Sequence, residues 1–155
     1  MATSRDLHQW NLTGQTLLPR QPDSFDSDLV EPGPPPLALP DGTYLVLYNS
    51  GTHHNDRGYH VGAAIIDGKF PSPKVLYRSP APLLSWTSRP WMVGNDTEYL
   101  CNVPEVVFLA AARSMPVRRD EEGEDGGVLG RFELFFGAAD AVVGRAGLVV
   151  SAGSS

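Results

Sequence analysis

The sequence predicts an all-β protein, an antiparallel meander of short strands. Three observations lead there. No segment sustains the 3.6-residue apolar period of a helix. Apolar residues instead come in short runs rich in Val, Leu, Ile, Phe and Tyr, separated by turn residues. Glycine (16) and proline (14) are both abundant, which suits many turns better than long helices.

Taken in order, residues 1–16 read as a disordered start and Leu17-Leu18 as at most a short strand. Ser24 to Pro40 carries Pro32 and Pro34 to Pro36 and predicts a rigid extended loop, because proline fixes φ and donates no hydrogen bond. Asp41-Gly42 is a turn, and Tyr44 to Tyr48 is the first strong strand. Asn49 to Gly58 reads as a polar loop, Tyr59 to Asp67 as a strand and Lys74 to Tyr77 as a short one. Leu83 to Asn102 is irregular, and Val106 to Ala112 returns to strand. Ser114 to Gly127 is an acidic, glycine-rich loop whose crowded acids repel one another and lack the spacing of a calcium loop. Phe132, Leu134 and Phe136 alternate with Glu133 and Phe135, as a half-buried strand does. Gly137-Ala138-Ala139-Asp140 turns the chain, and Val142 to Val150 resumes the apolar run. Residues 17–151 thus form one β domain and 152–155 a disordered tail. Such a meander closes as a barrel, packs as a sandwich or repeats as propeller blades, and pattern alone does not choose.

A chain of 155 residues is one ordinary domain. Its net charge of -6 argues against a nucleic-acid partner, which calls for a basic patch. Cys101 is the sole cysteine, so neither an internal disulfide nor a thiolate metal site can form. The first ten residues lack the apolar core of a secretory signal, and no apolar run approaches the roughly 20 residues of a membrane span. A lone thiol and no leader suit the cytoplasm, and the triplets at Asn11 and Asn95 then read as chance matches.

Asp140 is the foremost candidate site residue. A short acid among small residues either accepts hydrogen bonds from ligand hydroxyls or caps its own turn. Tyr59 and Phe108 offer apolar faces for a sugar ring, or else pack their strands. His53, His54 and His60 lack a carboxylate or cysteine at ligand spacing, so they read as ordinary histidines and no metal is expected. Trp86 and Trp91 either line a subsite or pin an irregular loop.

SFDSDLVEPGPPPL before DGTYLVLYNS, GYHVGAAIID before PKVLYRSPAPLL, TEYLCNVPEVVF and FFGAAD succeed one another in this chain. In that order they resemble the C-terminal half of the β-mannoside phosphorylase and β-1,2- and β-1,4-mannosidase family of glycoside hydrolases, which are five-bladed β-propellers. The resemblance implies a partial propeller of roughly two or three four-stranded blades, whether a truncated gene product, a mispredicted gene or a split subunit. It implies that Asp140, Tyr59, Phe108, Glu105 and Asn49 bind a mannose-containing oligosaccharide. It also implies no catalytic residue here, because the family's acidic aspartate and phosphate-holding arginines belong to the other half. No cofactor is expected; inorganic phosphate is a co-substrate in complete relatives. Two departures bear on that phosphate. Asn49 stands where relatives commonly carry a histidine, and Glu105 stands where the Val-Pro-Asn run has asparagine. A carboxylate is a poor neighbour for phosphate. The expected partners are a missing propeller half or a second copy. The alternative is a non-catalytic β domain that binds a glycan or a partner chain through open strand edges.

Overall fold

A computed structural model describes residues 1–51, 58–89, 104–117 and 127–152. His53, His54, Trp91, Cys101 and the acidic tract from Asp120 lie outside the described residues.

The described chain is all-β apart from one short 3-10 turn at Trp86–Ser88. Strands β1 (Ala2–Thr3) and β2 (Asn11–Leu12) form a small exposed ribbon. Local polar bonds accompany the ribbon: Ser4 Oγ accepts from Leu7 N–H (2.8 Å), and Asp6 accepts from His8 and Gln9 N–H (2.9 and 2.8 Å). Those bonds, that to Gln9 first, hold the Asp6 carboxyl below its ordinary pKa.

The larger sheet contains β3 (Leu29–Pro32), β4 (Leu37–Ala38), β5 (Tyr44–Gly51), β6 (Tyr59–Ile66), β7 (Val75–Arg78) and β8 (Leu84–Ser85). Both β3 and β4 pair with β5, and both β7 and β8 pair with β6. The six strands therefore make a four-rung antiparallel meander whose first and last rungs are broken. Pro34 to Pro36 break the first rung, which lies on an edge, where proline is tolerated. The proline-rich stretch is thus part of the sheet and not the loop its composition predicts. Gly33 makes the join: its N–H donates to Leu47 O (3.2 Å), and a Cβ there would come within 2.8 Å of that oxygen.

The second sheet has the order β11-β10-β9, from β9 (Val107–Met115), β10 (Val128–Ala138) and β11 (Val142–Ser151), all antiparallel. Neither sheet closes into a barrel. The two pack face to face. Leu45 and Leu47 of β5 and Val61 and Ala63 of β6 meet Val107 and Leu109 of β9 and Phe132, Leu134, Phe136 and Ala138 of β10. Each set keeps the period of two, and burying a large apolar side chain contributes about 1.5–3 kcal/mol.

The outer face of β5 and β6 is covered as well. Tyr48 lies flat on Gly62, where a Cβ would sit 2.3 Å from its Cζ. The Tyr48 hydroxyl donates to the buried Asp26 carboxylate (2.9 Å), which is ion-paired with Arg78. Arg78 also donates to Pro19 O (2.6 Å), tying the N-terminal segment down. With both faces covered, the end of β5 loses its alternation, and Asn49, Ser50 and Gly51 are all buried. The polar loop expected from Asn49 therefore starts no earlier than the end of β5 at Gly51.

Candidate functional site

Main-chain hydrogen bonds at two turns bring three segments together at one end of the strands. Tyr59 opens β6, and its N–H donates to Glu105 O (2.9 Å). Glu105 lies in the turn before β9 with a left-handed φ of 62°. One residue further, Val106 O accepts from Ala139 N–H (2.9 Å) in the β10–β11 turn. That turn is closed by Ala141 N–H donating to Ala138 O (3.1 Å), and both its central residues, Ala139 and Asp140, have positive φ (53° and 49°). This is the handedness that matches a twisted hairpin, and aspartate accepts it more readily than most residues. Asp140 is exposed there.

Phe108, the second residue of β9, is 39% exposed, and its ring centroid is 6.4 Å from that of Tyr59 at a tilt of 41°. Tyr59, Glu105, Phe108 and Asp140 therefore share one end of the molecule, held by main-chain bonds between their neighbours. Two are carboxylic acids and two are aromatics. That pairing suits a polyol with an apolar ring face, whose hydroxyls donate to the carboxylates while its carbons lie on a ring.

Asn49 is placed differently. Its side chain is fully buried, with Nδ2 donating to Leu109 O (3.2 Å) and Oδ1 accepting from Leu109 N–H (2.8 Å). The amide joins the two sheets from inside the wall, one strand away from the exposed cluster.

The sequence reads Gly58 only as the end of a polar loop, with no packing role. A Cβ on Gly58 would lie 1.9 Å from Trp86 Nε1 and 2.9 Å from Glu105 O, so the indole rests directly on that backbone. Trp86 Nε1 and Asp26 Oδ1 are buried and have no hydrogen-bond partner among the described residues. Trp86 also packs against the core, so it pins its segment to the sheet. His60 is buried in β6 with Nδ1 3.1 Å from Ser85 Oγ, and among the described residues no three His, Cys, Asp or Glu cluster as metal ligands would.

At the opposite end of the strands a cleft of about 600 Å³ opens between the sheets, lined by Leu39, Leu45, Ile65, Tyr77, Leu148 and Val149 among others. Its walls are apolar, and the acids nearby, Asp41 and Asp67, bond turn groups. Asp41 is held below its ordinary pKa by the hydroxyl and N–H of Thr43, and Asp67 chiefly by the N–H of Lys74. Asp41 and Tyr77 line this cleft, but the Asp41 carboxylate is engaged by Thr43; two carboxylates and two aromatics share the Asp140 end.

No curated protein matches the chain. The profile of a glycoside hydrolase family, number 130, described as beta-1,4-mannooligosaccharide phosphorylase, matches residues 1–150. That span takes in both sheets, the Val-Pro-Glu turn before β9 and the Gly-Ala-Ala-Asp turn after β10, and this all-β chain belongs to that carbohydrate-active family.

Proposed function

We infer that the chain forms the sugar-binding wall of a propeller that acts on β-linked mannosides, and that the proton donor comes from outside the described residues. The observation that carries this reading is the convergence of Tyr59, Glu105, Phe108 and Asp140 at one strand end. The four-rung meander packed face to face on a second meander supports blades of a propeller, since blades stack in this way.

In this reading Asp140 accepts hydrogen bonds from two sugar hydroxyls, and Phe108, with Tyr59 beside it, carries the apolar face of the ring. The sugar is held so that an acid supplied elsewhere can protonate the leaving oxygen while phosphate or water attacks the anomeric carbon. Glu105 disfavours a phosphate beside it by charge, which weights the reaction towards water as the nucleophile. Its turn is held by its own carbonyl, which accepts from the Tyr59 N–H.

Asp140→Asn separates the binding role from the turn role. Asparagine also tolerates a left-handed φ, so the turn survives while the charge is lost. Hydrogen bonds to a charged acceptor are worth roughly 1.5–3 kcal/mol. Calorimetric titration with a mannobiose should show affinity weakened about ten-fold or more, beside an unchanged melting curve. Unchanged affinity with a large loss of stability would make Asp140 a turn cap and end this reading.

A further inference from the structure

Strand β11 is a ten-residue edge, Val142–Ser151, with β10 on one side and no strand on the other among the described residues. The second sheet has three rungs where its neighbour has four. Edges are normally blunted by prolines, lysines or brevity. The larger sheet follows that rule: prolines interrupt one edge, and the other consists of a four-residue and a two-residue strand. β11 has none of these guards. It contains no proline and a single charged residue, Arg145, which reaches back to Glu133 (3.1 Å). Val143 and Val149 stand on its outer face, 82% and 48% exposed, and Val149 also borders the apolar cleft.

The order of residues along this edge is nearly the same read from either end. Placed antiparallel to itself about Ala146, β11 sets Val142 opposite Val150, Val143 opposite Val149, Gly144 opposite Leu148 and Arg145 opposite Gly147. No like charges lie directly opposite, because each arginine faces a glycine, and each arginine, diagonal to the other, is paired with its own Glu133. Both faces agree at once. Val142, Ala146, Leu148 and Val150 point towards the core side, and Val143, Arg145, Gly147 and Val149 point outward, so a two-fold axis through Ala146 keeps apolar with apolar on each face.

We propose that β11 pairs with β11 of a second copy of this chain, joining two three-stranded sheets into one six-stranded sheet across a two-fold axis. The interface is a single strand edge, so the dimer is weak and concentration-dependent. The pairing goes beyond the sugar-binding reading and does not depend on it.

Sedimentation velocity of the 155-residue chain across the micromolar range tests this. The expected result is a dimer fraction that rises with concentration. Val143→Lys and Val149→Lys, both at exposed positions, should each weaken dimerisation about ten-fold or more. The double variant Val143→Lys with Val149→Glu should restore it, because each new lysine then faces a glutamate across the axis. Within one copy the two positions lie about 20 Å apart along the strand, so they cannot rescue each other there. Hydrogen exchange of the wild-type chain gives a readout without variants: the amides of Val142 to Ser151 should become more protected as concentration rises. A monomer at every concentration would overturn the proposal and leave the edge for a strand of a different chain. A dimer indifferent to both lysines, or one the double variant fails to restore, would overturn it by placing the contact elsewhere.

Discussion

The amide of Asn49 replaces a rung of a β-ladder. It offers Leu109 an acceptor and a donor in one side chain, as a neighbouring strand would, and so closes part of the β9 edge while fastening the sheets. Asn49→Ala would leave a buried N–H and C=O unpaired, at about 1–3 kcal/mol each. Urea unfolding should show a loss of about 2–4 kcal/mol, and an unchanged midpoint would mean that water or a shifted backbone replaces the amide. Tyr48 gives a second residue-scale expectation. Burial, the largest cause, pushes its phenol above the ordinary value; the Arg78 hydrogen bond pulls it down and the Asp26 carboxylate pushes it up. Above pH of about 10 the unfolded chain releases the tyrosine proton while the folded chain still holds it. The folded state then binds more protons, so stability is full below that pH and falls as pH rises towards the folded value. Unfolding midpoints followed into alkaline pH should fall less steeply in Tyr48→Phe than in the wild type.

At the scale of the element, β6 is constrained by rings lying on two glycines, Gly62 within the strand and Gly58 just before it. A methyl group at Gly62 would meet Tyr48 Cζ at 2.3 Å, and one at Gly58 would meet Trp86 Nε1 at 1.9 Å. A methyl group at Gly137 in β10 would meet nothing within 4 Å, although this glycine too lies in a strand. Thermal melts of three alanine variants should separate these cases. Gly62→Ala should cost about 1–3 kcal/mol through overpacking. Gly58→Ala should be similarly costly and shift the tryptophan emission as the indole is displaced. Gly137→Ala should be neutral or slightly stabilising, since glycine is a poor strand residue. Equal effects at all three would show that backbone freedom, and not the rings, decides these positions.

At the scale of the whole molecule, the sugar-binding reading makes a prediction about turnover. Binding walls without a positioned proton donor forgo about 10² to 10⁴ in rate. The 155-residue chain should therefore neither release mannose from a mannobiose nor form a mannose phosphate when inorganic phosphate is added. Robust turnover would make Glu105 and Asp140 the first residues to test, since two carboxyl groups on one strand end are the minimum such chemistry needs.

The all-β class and the main strands from Tyr44 to Val150 are legible in the amino acids alone, because alternation and turn residues are local signals that survive without a partner. The family is legible there too, since ordered motifs across the chain are more specific than any one of them. That Asn49 to Gly51 are buried strand emerges from the packing, because covering both faces of β5 erases the alternation that marks a strand. Only the tertiary structure showed that the prolines interrupt an edge rung, since their tolerance there depends on which neighbour is absent. It likewise brought Tyr59, Glu105, Phe108 and Asp140 to one strand end. They come from three segments of the chain, and their meeting rests on two main-chain bonds, Tyr59 to Glu105 and Ala139 to Val106, that no side-chain pattern encodes.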